Sequence, residues 1–270
     1  MEQKEAKYAY ELPEVPVDLA LLLSAMAKDF PLILDNNLVG IYLWGSLTFD
    51  AFDPKHSDVD CIVLTKRDVD DAEFAALEAW FAEKMENNRC TGDLDMRFII
   101  DGEALDMTSR CCGFQFGRFR RQGSDANPII WLNIVQSGIT LWGKDAKLSA
   151  PEITQKVLND ALLLELRYLR EDLAKNRGDR SDLAFKHNAY AVLTACRIFY
   201  TVQFQTLVSK ETARDWALEN LPERWRPTIE KANKNRIQVN GTTEPELEKT
   251  AKAFVEYIEG ETRKRLGNSV

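Results

Sequence analysis

The sequence predicts an α+β fold in two parts. An N-terminal domain with a small mixed β-sheet flanked by helices spans residues 1–150, and a C-terminal all-helical domain spans residues 151–270. Three observations predict this. In the first half, runs at helical spacing alternate with short continuous apolar runs. In the second half, long amphipathic segments follow one another without strands between them. The polar stretch GKDAKLSAPE marks the change of composition near residue 150.

Taken in order, PVDLALLLSAMAKDF (16–30) has apolar residues at helical spacing and predicts a helix. LVGIYLW (38–44) predicts a strand ended by Gly45, and VDCIVLT (59–65) a second strand. DAEFAALEAWFAEKMENN (71–88) predicts an amphipathic helix, and LDMRFII (94–100) a third strand. Helix, strand, Gly-Ser turn, strand, helix and strand in that order predict helices layered on a sheet. In the second half, residues 152–176 form a long amphipathic pattern, and residues 182–207 a more apolar one that predicts a more buried helix. Residues 209–221 and 223–236 are shorter helical candidates, and residues 245–266 are the last. Thr243 and Glu246 suggest a capping box ahead of it, and Asn240-Gly241 a turn. KNRGDRSD (175–182) predicts a charged loop.

Composition narrows the function class. Hydrophobic residues make up 45% and charged residues 29%, as in soluble proteins. No apolar run approaches the ~20 residues of a membrane span, and MEQKEAKYAYELPE has no apolar signal core, so a cytoplasmic protein without a membrane partner is expected. The five cysteines are odd in number and fit no zinc spacing, so reduced, structural thiols are expected. His56 and His187 are far apart in sequence, which excludes a His-rich metal site. A net charge of −8 argues against nucleic acid as a partner and suits a cationic small-molecule substrate. The apolar C-terminal helices can bury one another within one chain, so a monomer is expected.

The chemistry concentrates in WGSLTFDAFDPKHSDVDCIVL. Asp58 and Asp60 lie two apart at the start of a strand, so they face one side roughly 7 Å apart. Two carboxylates held that close repel unless they share a cation, and all-oxygen ligands suit Mg²⁺, which completes its shell with water and phosphate oxygens. Gly45-Ser46 supplies a close backbone approach and a hydroxyl; a helix opening after Gly45 would add free N–H groups for phosphate. Asp95, with Asp93 as the alternative, opens the third strand, where it can share a metal or take the proton of an attacking hydroxyl. Two Mg²⁺ ions would clamp the attacking and leaving oxygens of an in-line displacement.

These residues resemble the signature of the DNA polymerase β-like nucleotidyltransferases. More narrowly, the chain resembles the streptomycin/spectinomycin (3''/9) adenylyltransferases, on LTACRIFYTVQFQTLVSKETARDWALENLP together with FGRFRR and ITLWGKD. The resemblance covers roughly residues 35 to 265. It implies transfer of AMP from Mg·ATP to a drug hydroxyl with release of pyrophosphate. It places Gly45, Ser46 and Ser57 on nucleotide positions, Asp58 and Asp60 on metal positions, and Asp95 on the catalytic-base position, where the family has Glu. Arg197 and Lys210 fall on positions that contact the ATP phosphates, and Arg236 falls near the adenine-stacking aromatic. Phe119 takes the place of the drug-stacking Trp. His187 stands where the family has an acid that pairs with drug amino groups; Asp179 and Asp182, just upstream, are the candidates to replace it. Two alternatives stay open: the same chemistry on another hydroxyl acceptor, either a small molecule or a protein side chain, and a non-catalytic nucleotide-binding module.

Overall fold

The computed structural model describes residues 14–123, 127–175, 181–237 and 245–267. The chain divides into two compact units, the first ending at Glu152 and the second beginning at Ile153.

The first unit opens with α1 (Val17–Leu34), which runs through Pro31 rather than stopping before it. Proline removes one helical hydrogen bond. Here Phe30 and Leu34 are buried in the same core as the rest of the helix, and that packing carries the chain past it. β1 (Leu38–Trp44), β2 (Val59–Thr65) and β3 (Leu94–Ile100) follow, with α2 (Asp71–Asn87) as the crossover between β2 and β3. Asp70 and Glu73 cap α2 reciprocally. β4 (Arg110–Gln115) and β5 (Arg118–Gly123) form a hairpin across Phe116 and Gly117, both at positive φ. α3 (Pro128–Ser137), β6 (Ile139–Gly143) and the short α4 (Ala146–Ser149) complete the unit.

The sheet runs β5-β4-β3-β2-β1-β6. β2 and β3 are parallel and every other pairing is antiparallel. One face carries Ile41, Leu43, Cys61, Val63, Met96, Phe98 and Phe114, buried with Leu23, Met26 and Phe30 of α1 and Leu77 and Phe81 of α2. Phe81 stacks on Phe114 at 4.3 Å, and Trp80 meets Phe30 edge-on at 4.9 Å. Period-2 alternation sends the intervening residues, Trp44, Asp60, Asp95 and Gln115, to the opposite face.

The second unit consists, among the described residues, of α5 (Gln155–Leu173), α6 (Ser181–Phe204), α7 (Lys210–Asn220), α8 (Arg226–Ile237) and α9 (Pro245–Gly267). α6 packs against each of the other four. Its buried Ala189, Val192, Leu193 and Cys196 explain the apolar character of its sequence. Thr154 caps α5 and Ser209 caps α7 through their hydroxyls. The capping box suggested at Thr243 and Glu246, and the Asn240-Gly241 turn, lie outside what is described. The five cysteines are free thiols, four of them buried. No helix among the described residues is long and apolar enough to cross a membrane.

Candidate active site

The pairing of β2 sets Asp60 opposite Trp44 on β1 and opposite Asp95 on β3. On the far side of β3 the register continues to β4, and Gln115 Nε2 donates to Asp95 Oδ2 at 2.7 Å. A row Trp44, Asp60, Asp95, Gln115 therefore crosses four strands on the face away from the core. β2 is otherwise buried, with Asp60 its half-buried position. Asp58 is exposed just before the strand, on the same side as Asp60. Asp93 is exposed in the 3₁₀ turn ahead of β3, with partial desolvation raising its carboxyl.

Gly45 stands at φ +73°, and a Cβ there would lie 1.9 Å from Asp60 Oδ2. Glycine is thus required twice, by backbone conformation and by the carboxylate lying against it. The helix expected after Gly45 is instead a single 3₁₀ turn (Gly45–Phe49), ended by Asp50 in the left-handed region. The turn is anchored by a residue that sequence reasoning missed. Asn133 of α3, 3% exposed, accepts the Gly45 N–H at 2.7 Å, while its amide donates to Thr48 and Ser137. An amide inside the apolar run PIIWLNIV was the available signal. Ser46 Oγ is buried with no hydrogen-bond partner. The Ser57 hydroxyl accepts the Asp53 N–H at 3.0 Å and closes the loop that delivers Asp58.

Asp95 has a second partner: Arg97 Nη1 donates to its Oδ1 at 2.5 Å. Both oxygens of Asp95 thus accept from protein donors. Among the described residues, no group of three or more His, Cys, Asp or Glu side chains is arranged to hold a metal ion. The donor set that fits Mg²⁺ is the carboxylate pair Asp58 and Asp60, with phosphate and water oxygens completing the shell. The buried, unpartnered Ser46 hydroxyl beside that pair fits a phosphate oxygen. The expected role of Asp95 as a metal ligand is corrected by its commitment to Arg97 and Gln115.

Phe119 also departs from expectation. Its ring stacks on Phe74 at 4.6 Å and packs on Phe81 and Phe98, so it belongs to the core under α2 and offers no face for a substrate. Alternation along β5 puts it on the inner face; the exposed aromatic of this hairpin is Phe116, 81% exposed at the turn.

In the helical unit, Lys210 opens α7 and its Nζ lies 4.7 Å from the centre of the Tyr190 ring. Arg197 and Glu165 are the charged neighbours of the Tyr190 hydroxyl, which burial pushes up to about 12 although the residue as a whole is 42% exposed. Arg197 and Lys210 thus gather around Tyr190, and neither Tyr190 nor Glu165 was signalled by spacing. Arg236 pairs with Glu211 of the first turn of α7. Burial tends to raise Glu211, but the Arg236 hydrogen bond and charge outweigh it and hold the carboxyl below its ordinary 4.5. A depressed carboxyl stabilises the fold above that value and loses its contribution as pH falls. Melting curves from about pH 5 downward should therefore show wild type losing stability more steeply than Arg236→Leu. Parallel profiles would refute the pairing.

His187 Nδ1 lies 3.0 Å from Asp172 Oδ2, and Asp172 is buried on α5 with Lys175 Nζ at 3.2 Å. An acid does stand beside position 187, but it comes from the neighbouring helix, which sequence spacing did not reveal. Asp182 lies in the first turn of α6, where only the backbone is described, and Asp179 lies outside the described residues.

Comparison with known proteins agrees with this architecture. The family model described as "Aminoglycoside adenylyltransferase, C-terminal domain" matches residues 151–261. A spectinomycin 9-adenylyltransferase from Campylobacter jejuni is 24% identical over 241 residues, covering 84% of this chain and 88% of the relative. An aminoglycoside (3'') (9) adenylyltransferase from Escherichia coli is 24% identical over 257 residues, covering 87% and 91%. The crystal structure of a spectinomycin adenyltransferase from Enterococcus faecialis, solved with ATP and spectinomycin, shares the fold at a TM-score of 0.69 and 17% identity, over 90% of this chain and 99% of that one. With its helical unit matched by that domain and its relatives aligned over more than four-fifths of its length, the chain is a nucleotidyltransferase of the aminoglycoside adenylyltransferase family.

Proposed function

We infer that the protein transfers AMP from ATP to a hydroxyl of an aminoglycoside or aminocyclitol, of the spectinomycin or streptomycin kind, releasing pyrophosphate. The observation that carries this reading is the alignment of Asp60 and Asp95 on adjacent strands, with the Gly45-Ser46 turn pressed against Asp60. The names of the relatives, aligned over most of the chain, support the substrate class.

In this reading residues 1–150 form the transferase domain and residues 151–270 the domain that binds substrate and closes on nucleotide. Asp58 and Asp60 hold Mg²⁺, which would supply positive charge to the transferring phosphoryl group when bound. The Gly45 turn and the Ser46 hydroxyl hold the phosphates, with Ser57 shaping the loop. Asp95 accepts the proton of the attacking hydroxyl as its oxygen bonds to the α-phosphorus and the bond to pyrophosphate breaks. Arg197 and Lys210 supply positive charge for the triphosphate, and Arg236 faces the nucleoside. Asp172 with His187 supplies the carboxylate for cationic groups of the acceptor. The protein acts as a cytoplasmic monomer.

The test is pyrophosphate release from Mg·ATP with a panel that includes spectinomycin and streptomycin, and with Asp58→Ala as the blank. Release with one drug and none in the blank supports the reading. Silence across the panel, with ATP binding intact by calorimetry, removes the drug assignment and turns the search to other hydroxyl acceptors.

A further inference from the structure

Asp95 and Arg97 are two apart on β3 and project from the same face of the sheet. Side chains in that relation normally stand side by side, roughly 7 Å apart along the strand. The Arg97 side chain instead folds back, and its guanidinium meets Asp95 Oδ1 at 2.5 Å while only 12% exposed. The space for this comes from the next strand. Gly113 is the cross-strand partner of Arg97; a Cβ there would lie 2.6 Å from the Met96 carbonyl oxygen and 3.2 Å from Arg97 Cδ. Two residues along β4, Gln115 holds the other carboxylate oxygen. The hairpin turn at Phe116 and Gly117 begins directly after it.

We propose that Arg97 is a positioning residue for the transfer reaction, fixing the Asp95 carboxylate between its own guanidinium and the Gln115 amide, with Gly113 leaving the room that this requires. The proposal rests on Asp95 being the base. An aspartate on a strand swings about two side-chain torsions, and a base must present its oxygen within hydrogen-bond reach of the reacting hydroxyl. A charge-assisted bond on one oxygen and an amide on the other remove both freedoms. Each carboxylate oxygen has two lone pairs, so one hydrogen bond at each does not exhaust it. The guanidinium also keeps the carboxylate in its ionised form, the form that can take a proton. Arg97 acts through Asp95 and need not touch either substrate.

The experiment compares Arg97→Ala, Arg97→Lys and Asp95→Asn in the full-length protein, with Mg·ATP and the drug found active. Arg97→Ala should lower kcat by about 100-fold with KM for ATP unchanged, as expected when a reacting group loses its orientation. Millimolar guanidinium ion should restore part of that loss in Arg97→Ala and none in Asp95→Asn. If Arg97→Ala does not fold, Arg97→Lys carries the same test: it keeps the charge but not the planar fork, so kcat should fall by about tenfold with KM unchanged. In the ¹H–¹⁵N spectrum, a slowly exchanging guanidinium signal absent from Arg97→Lys should also disappear in Asp95→Asn. Full turnover in the Arg97 variants alongside an inactive Asp95→Asn overturns the positioning role alone. Wild-type turnover in Asp95→Asn overturns the base assignment itself.

Discussion

Asp60→Ala should abolish adenylyl transfer, lowering kcat/KM by at least about 10³-fold, or about 4 kcal/mol of transition-state stabilisation. Asp60 is the member of the acidic pair that the sheet holds rigidly: it is paired to β1 on one side and β3 on the other, and is half-buried. Its loss removes one of the two carboxylates assigned to the metal and leaves Asp58, exposed at the strand end, as the other. The fold should survive, because Asp60 lies on the face away from the buried core. The check is pyrophosphate release at saturating Mg·ATP together with a thermal melt. A variant that melts as wild type does and turns over at its rate would end the metal assignment.

Gly45→Ala should be nearly as damaging, though it removes no charged or polar group. The new Cβ would meet Asp60 Oδ2 at 1.9 Å in a backbone already at φ +73°, so either the turn or the carboxylate must move. A left-handed conformation costs an alanine about 1 kcal/mol relative to glycine, which shifts the melt by a few degrees. Displacing the Asp60 carboxylate by an ångström should cost about 100-fold in kcat. The two effects separate in one experiment: a small fall in melting temperature with a large fall in turnover. A wild-type rate in this variant would mean that the approach of the turn to Asp60 has no part in catalysis.

Both predictions depend on local features that were legible in the chain. The Gly-Ser turn, the Asp-x-Asp at a strand end and the acid opening the third strand follow from alternation and turn chemistry, as do the principal helices. These patterns are local, and the core face built from Ile41, Leu43, Cys61, Val63, Met96 and Phe98 enforces them, because a one-residue slip would bury Asp60 and Asp95. β4 and β5 were not legible. RFRRQG is an edge strand with exposed arginines, and no apolar period marks such a strand.

What the sequence determined by itself was which chemical groups the site has and the face each must occupy. The tertiary structure alone decided which of them meet. Strand register put Asp60 beside Asp95 and Gln115. Packing of α3 brought Asn133 to the Gly45 N–H across 88 residues. Inner-face alternation took Phe119 into the core, and the neighbouring helix α5, rather than the charged loop before α6, provided the Asp172 carboxylate beside His187. Facing is a property of two or four consecutive residues, whereas pairing is settled by the whole core at once. A single sequence therefore shows the first and leaves the second to the fold.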